Sequence, residues 1–598
     1  MPRLPLDLYV AILEQVPGLR SESDSVLTLV NCLRANSLLR AAALVSALWE
    51  PHYRARYLHN DALKNSESRL KSRFQSNWRL MYAERRRWDR VALELLDQMV
   101  LQRKGRYQHA ATLASMSFDI WDALEIECLL PVPTVFGGNI TRSYAITRRY
   151  WAEGVLNMIL RRFAIMHWGR LVHEDHKCIT FVDAFSLMSA FFGKKPQEMH
   201  SHLLELGHAC REYLVKQQCI FDPNVAKYDL PELCTQICQF MYQQGFGPVE
   251  PIQFYDILNH FPHAYLTTNK QSIPLSLVQV FVSIARQLGI SASPVEFPGR
   301  VLVHVSSPPG VDDFLVDVFG ADTQPVISIR NDIPIMLMRH GIAPDNMSQY
   351  ISPCGASAML LRAARNIIAS LRHNPSTPQS AVYVTACIHL LFTGETELVD
   401  HLLSLVPPLD PLYCSTFLAD LQPLLIRPRS RFLVKKWCTD VLEAEEHEAD
   451  LVRLRTSERP IKHYCGLTFE HRIYQYIGCI IGWDPVCSAT KEWQTMMNVS
   501  SLPRGANQPF YHVLTLEGGQ RYVAEDNISK PIKLTAELAM LFLEKIPVIG
   551  RYFSDAYIHP DSCRGRWTLS PELQQQYPDD ELFSQIYDEW PGNVDTSM

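Results

Sequence analysis

The sequence predicts a multidomain, mainly α-helical chain with one α+β module in its middle and a small β-rich module near its C-terminus. Three observations lead there. At roughly 100–200 residues per domain, 598 residues imply several domains rather than one. Apolar residues make up 47% of the chain and charged residues 20%, enough to build packed cores along most of it. Helical periodicity dominates and gives way to period-2 alternation in only two places.

Residues 1–57 read as a small helical domain. Leu4, Leu8 and Ile12 recur every fourth position, Leu13 widens the stripe, and Pro17 and Gly18 end it. Leu38, Ala41, Ala42, Val45, Leu48 and Trp49 share a second helical face, which Pro51 is expected to stop. So small a unit makes a marginal core alone, so its stripes should be buried against something else, in this chain or another. Residues 58–130 form a basic helical segment. Between Tyr53 and Arg106 fourteen bases face six acids. That run reads as the solvated face of long helices, with an anionic partner as the sharper alternative.

The Pro/Gly-rich stretch 129–139 marks a boundary. Residues 131–375 hold further helices and then the α+β module. There Ser272 is a plausible helix cap, Pro274 sits in the first turn, Leu277, Val280, Phe281, Ile284 and Leu288 line one face, and Gly289 supplies the stop. "RVLVHVSS" and "DFLVDVFG" then alternate as strands do. Residues 376–455 return to helix. Residues 456–532 are β-rich, through "YIGCIIGW", "FYHVLTL" and "QRYVAEDNI", with Gly518-Gly519 as a hairpin turn. Residues 533–598 read as a helical, then polar and acidic tail that should fray.

Several function classes fall away. A net charge of -6 argues against a protein built to neutralise phosphates. No apolar run approaches the roughly 18 residues of a membrane span, and Asp7 and Glu14 interrupt any secretory pattern. The 15 cysteines contain no CxxC pair, the usage of a reducing compartment, so an intracellular place in cytoplasm or nucleus is expected. Neither GxxxxGK[ST] nor GxGxxG occurs. The pairs in "HEDH" (173–176) and "CTQIC" (234–238) lack further ligands nearby, so neither a metal nor a cofactor is expected.

The halves "LPLDLYVAILEQV" and "LLRAAALVSALWEPHYRARY" together resemble an F-box, the small helical unit that docks on the Skp-family adaptor of cullin-based ubiquitin ligases. The resemblance puts Leu4, Pro5, Leu8, Ile12, Leu13, Val45 and Trp49 at the adaptor contacts. Residues 17–36 separate the halves by more than the family leads one to expect.

"SIPLSLVQVFVSIARQLGI", "VEFPGRVLVHV" and "FLVDVFG" resemble a transglutaminase-like fold in their helix, strand, strand order. An active member places Cys at the start of that helix, His on the next strand and Asp on the third. A helix N-terminus lowers the thiol pKa and His completes the pair. Here Pro274, Leu275 and Ser276 occupy the helix start, Arg300 holds the histidine slot, and only Asp317 matches, so the resemblance implies a degenerate scaffold. Ser276, His304 and Asp317 leave a serine hydrolase as an alternative.

"YIGCIIGWDPVC", "EWQTMM", "LPRGANQPFYHVL" and "RYVAEDNI" resemble the YccV-type (heat-shock protein Q) domain, also labelled hemimethylated-DNA-binding, which implies a small SH3-like β-barrel. Between Glu458 and Lys530 seven bases meet seven acids, so DNA is disfavoured though still open, and protein recognition is preferred. Trp483, Asp484, Trp493, Arg504, Asn507, Gln508, Phe510 and Tyr511 are the candidate ligand contacts, with barrel core and loop bracing as the alternative for several of them. The joint order of the three resemblances implies a non-catalytic substrate receptor of an SCF-type ubiquitin ligase. Its partners would be the Skp-family adaptor, the cullin complex and a protein client, with no membrane.

Overall fold

The computed structural model describes residues 5–20, 24–61, 64–129, 143–173, 179–223, 225, 227–320, 324–343, 347–373, 378–406, 408–458, 460–558 and 565–589. The chain divides into two compact units, residues 1–159 with 441–598, and residues 160–440. Among the described residues no helix is long and apolar enough to cross a membrane.

The first unit begins with α1 (Leu6–Leu13), α2 (Asp24–Ala35), α3 (Ser37–Ala43) and α4 (Glu50–Arg56). Asn36 caps α3: its Oδ1 accepts from the N–H groups of Leu38 and Leu39 at 3.0 and 2.9 Å. Pro51 does not stop a helix as expected. It sits in the first turn of α4, where its missing N–H costs nothing. The chain leaves α1 through Gly18, where a Cβ would lie 2.6 Å from the Pro51 carbonyl oxygen, so only glycine fits that approach. These helices share one core with the start of α5 (Trp78–Leu101), built on Leu13, Leu29, Leu48, Trp49, Tyr53 and Met81.

The basic segment is solvated in part, with Arg54, Arg69, Arg73, Arg87, Arg90 and Lys104 exposed, but four of its arginines are not. Arg56, Arg85, Arg103 and Arg106 are buried. Arg56 donates to Asp89 at 3.1 Å, Arg103 to Glu448 at 2.6 Å and Arg106 to Glu572 at 2.5 Å. A buried guanidinium is tolerated only when paired in this way.

The second unit carries α6 (Pro196–Lys216), α7 (Leu230–Gln243) and α8 (Pro274–Gln287). Strands β1 (Ala292–Phe297), β2 (Arg300–Val305), β3 (Phe314–Val316) and β4 (Val326–Ser328) follow. The strands form an antiparallel sheet in sequence order, with Val295 opposite Leu302 and Val303 opposite Val316. Helix α8 is buried over Leu275–Ala285 and packs on β1 and β2. Val295, Phe297, Leu302 and Leu315 build a further core with Ile333 and Leu337. Val301, Leu302 and Val303 are therefore all buried, so the strand is covered on both faces and its alternation separates two cores rather than core from solvent. Ser272 does not cap α8. Its Oγ donates to the Asn259 carbonyl at 3.0 Å, and Ile273 precedes the helix. Gly289, at φ +85°, ends it as expected.

Returning to the first unit, β5 (Thr468–His471), β6 (Ile477–Asp484), β7 (Phe510–Thr515), β8 (Gln520–Ala524) and β9 (Ile528–Ile532) form one antiparallel sheet. Its order is β8-β7-β6-β5-β9. Among the described residues the edge strands β8 and β9 do not pair with each other, so the expected SH3-like barrel is present as a half-barrel. The reason lies in the next sixty residues, which are not a frayed tail. They fold as α9 (Ala536–Lys545), a hairpin of β10 (Phe553–Ile558) and β11 (Gly565–Leu569), α10 (Pro571–Gln576) and α11 (Asp580–Glu589). Phe542, Phe553, Trp567, Leu573 and Tyr577 join Phe469, Ile480, Trp483 and Val513 in one core. The sheet thus buries a face against this segment instead of closing on itself.

Asp580, fully buried, ties the two together: it accepts from Trp483 Nε1 at 3.0 Å, Arg455 Nε at 2.9 Å and the Cys465 amide at 2.7 Å. Asp580→Ala leaves Arg455 and the indole without their acceptor. It is expected to cost about 3–5 kcal/mol, read as a lowered denaturant midpoint.

Candidate functional site

On α1 the two sides differ. Leu13 is 5% exposed and lies in the core, whereas Leu8 and Ile12, four residues apart on one face, are 48% and 57% exposed. Pro5 and Leu6, at the start of the helix, are also exposed, and Leu44 is exposed just after α3. Burying Leu8 and Ile12 in a partner is worth about 1.5–3 kcal/mol each. Trp49 is 3% exposed. Its Nε1 donates to the Ala43 carbonyl at 2.8 Å and its ring packs 5.7 Å from that of Tyr82. Val45 is half-buried against the same core. Leu13, Val45 and Trp49 thus hold the ridge in place rather than form it. Leu4 lies outside the described residues.

At the start of α8, Ser276 is buried and its Oγ donates to the Asn259 carbonyl at 2.6 Å. Arg300, on β2, hydrogen-bonds Asp317 through Nη1. The other Asp317 oxygen accepts the amides of Phe319 and Gly320 at 3.1 and 3.2 Å. His304 turns instead to Asp313, with Nε2 3.3 Å from Oδ2. Ser276, His304 and Asp317 each have a different partner and do not assemble. A cavity of about 820 Å³ opens beside them, lined by Leu277, Asp317, Phe246, Gln239 and Cys238 among others. Cys238, on α7, is the second thiol of the "CTQIC" pair, and the structure places it at this cavity rather than with a set of metal ligands. Burial pushes its pKa up, with the Cys234 thiol adding to the effect, so it is a poor nucleophile.

Residues 485–509, between β6 and β7, fold as a lobe with its own small core. Val499, Phe510 and Ala524 are buried, and Trp493, Leu502 and Tyr522 are half-buried against them. Most of the polar candidates here are braces. Asp484 Oδ2 accepts from Ser488 Oγ and Tyr522 OH, each at 2.8 Å, and lies 3.2 Å from His512 Nε2. Burial alone would raise its pKa. The hydrogen bonds from His512, Ser488 and Tyr522 outweigh that and hold its carboxyl well below the usual carboxylate range. Arg504 donates to Asp526 at 2.9 Å and to Glu525 at 3.0 Å. Gln508 donates to Asp526 at 2.9 Å, and Tyr511 OH donates to Glu525 at 2.7 Å. Trp483 and Phe510 are buried, and Asn507 is exposed. Glu525 and Asp526, missed at first, are the acceptors that organise this face. Their signal was the "ED" of "RYVAEDNI".

One group of possible metal ligands converges among the described residues, His59, Asp122 and Glu125. Arg20 already bridges it: it hydrogen-bonds Glu125 and lies 3.6 Å from Asp122, supplying the charge a cation would bring. Of the "HEDH" pair, His173 Nε2 lies 2.8 Å from the Leu424 carbonyl oxygen, and residues 174–176 lie outside the described residues.

With this geometry in hand, the chain divides by family. Residues 197–365 match the transglutaminase-like superfamily, and residues 461–557 match the family described as hemimethylated DNA-binding protein YccV like. Both matches run further than the quoted motifs. The first takes in α6 and α7, and the second reaches β10. The chain is also similar to F-box only protein 21 of Pongo abelii, 26% identical over 404 residues, covering 61% of this chain and 59% of the relative. The Homo sapiens protein of that name is 25% identical over 411 residues, with the same shares, and the Mus musculus one 25% over 370, covering 56% and 53%. The match thus spans less than two thirds of those relatives' length. No solved structure matches.

Asp484→Asn keeps the shape of the brace and removes its charge. It is expected to cost roughly 1–3 kcal/mol and to speed amide exchange across 485–509. Because the pKa is depressed in the folded chain, the wild-type contribution is fully present above about pH 4 and drains as pH falls below that. The variant should lack this acid-side slope.

Proposed function

We propose that this chain is the non-catalytic substrate-recognition subunit of an SCF-type ubiquitin ligase. It docks the Skp-family adaptor, and through it the cullin complex, with the open face of α1. It presents a protein client through its transglutaminase-like and YccV-like domains, inside the cell. The observation that carries this reading is the asymmetry of α1: Leu13 anchors the helix in the core while Leu8 and Ile12 stand exposed on its other side, in a chain similar to proteins named as F-box proteins. Such a receptor does no bond chemistry. It raises the client's effective concentration near the ubiquitin-charged enzyme.

The arrangement around α8 supports a role without catalysis. A nucleophile needs a base within hydrogen-bond reach, and Ser276, Cys238, His304 and Asp317 supply no such pair. The ion-paired Arg504 and the half-buried Trp493 favour a protein-facing role for the YccV-like lobe over a phosphate-binding one.

Leu8→Asp with Ile12→Asp is expected to abolish co-purification of the Skp-family adaptor while the circular dichroism and melting of the chain stay unchanged. Undiminished capture sinks the ridge assignment. Fluorophosphonate and iodoacetamide probes are expected to leave Ser276 and Cys238 without stoichiometric labelling at neutral pH, read by peptide mass spectrometry.

A further inference from the structure

The buried arginines of the first unit, Arg56, Arg85, Arg103, Arg106 and Arg148, are each held in ion pairs. One short stretch of the second unit breaks that pattern. In residues 426–439, Arg427, Arg429, Arg431, Lys435 and Lys436 occur with no acid among them. Ser430, Val434 and Cys438, four residues apart, are buried and fix the inner face of the helix Pro428–Glu448. Its outer face therefore carries Arg429, Phe432, Lys435 and Lys436. Phe432 is 66% exposed, and Ile426, just ahead of the helix, is 63% exposed.

Among the described residues the only ion pair these five cations make is Arg429 with Glu397, at 3.7 Å and mostly exposed on both sides. Arg431 spends its Nε on the Leu425 carbonyl. Helix stability does not account for them. They crowd the first turns, where the macrodipole is already positive, and Arg431 and Lys435 repel each other at i,i+4. A ring of unneutralised cations around a solvent-facing phenyl group is a surface that lacks its counterpart.

We propose that this face binds an acidic peptide segment of a partner protein, with an apolar side chain of that segment on Phe432 and Ile426 and its carboxylates on Arg429, Lys435 and Lys436. An exposed aromatic set among cations gives such a contact both an anchor and a sign. A polyanion fits less well. Nucleic acid wants about 6–10 phosphate contacts for strong binding, and the chain as a whole carries a net charge of -6, which repels an extended anionic strand or membrane surface. A short peptide meets only the patch. The helix lies outside both matched domains, so the inference adds a client surface to the receptor proposed above and rests on that reading. Its test needs no adaptor, so the two fail separately.

The experiment is a fluorescence-anisotropy titration of the full chain with a labelled twelve-residue peptide of Asp and Glu around a central Leu-Phe pair. The controls are the same peptide with Asn and Gln for the acids, an oligo-deoxythymidine, and phosphatidylserine-containing vesicles. Binding of the acidic peptide is expected, weakened about tenfold or more by Lys435→Glu with Lys436→Glu, by Phe432→Ser, and by raised salt. All three positions are exposed and unpaired, so these variants should keep the wild-type melting temperature. The proposal is overturned if the acidic and amide peptides bind alike, if neither binds at low salt, or if the charge reversal leaves affinity unchanged. Tighter binding of the oligonucleotide or the vesicles also overturns it, in favour of a phosphate or lipid site.

Discussion

A guanidinium taken out of water must find a carboxylate or acceptor oxygens, and that constraint organises this molecule more than any single core contact. Within the first unit Arg106 reaches Glu572 across 466 positions of sequence, and Arg103 reaches Glu448 across 345. Arg455 meets Asp580 beside the indole of Trp483. Arg106–Glu572 and Arg455–Asp580 close their loops at buried carboxylates, where an orphaned charge would cost several kcal/mol. The pairs therefore act as register marks: the C-terminal hairpin and helices have one place where both their apolar side chains and their carboxylates are satisfied.

In the transglutaminase-like module the ion pair is made by an exposed arginine, Arg300. Arginine in the histidine slot is not merely an absent base. It engages the one remaining carboxylate of the pattern, Asp317, whose other oxygen is held by two backbone amides. What is left beside it is space, a cavity walled by Leu277, Phe246 and amide side chains, with a thiol whose pKa burial has raised. Among the described residues the geometry keeps the volume of a cleft, and its carboxylate is engaged by Arg300.

Much of this was legible in the sequence, and the parts that were not share a cause. Local signals held where local chemistry decides. Pro274 and Gly289 bound the central helix, Gly518-Gly519 turns a hairpin, and "YIGCIIGW" is a strand. Failures came where distant residues decide. Within the basic run, the burial of Arg103 and Arg106 is invisible in the sequence because their partners, Glu445, Glu448 and Glu572, lie hundreds of positions away. The segment after Thr535 looked like a tail because its acids suggested solvent, while Trp567, Leu573 and Tyr577 were the better guide. The candidate site suffered the same way. Trp483, Asp484, Gln508 and Tyr511 are rich in functional groups, but those groups point inward to Asp580, Ser488, Asp526 and Glu525. Dense polar and aromatic composition marks a demand for partners, and sequence alone does not say whether the chain itself supplies them.

That distinction gives a physical criterion for where function sits. A side chain whose bonding capacity is met inside the chain contributes stability, and a partner could recruit it only by breaking an existing contact. A side chain whose capacity is unmet at the surface can be engaged without breaking a contact within the chain, at the cost of its hydration and rotamer freedom. By that measure the lobe of residues 485–509 is largely self-satisfied. Two surfaces are not: the apolar face of α1, where Leu8 and Ile12 lie in water, and the cationic face around Phe432. They call for different counterparts, one apolar and one acidic. They lie in different compact units of the chain. Two surfaces of such different chemistry would not compete for one ligand.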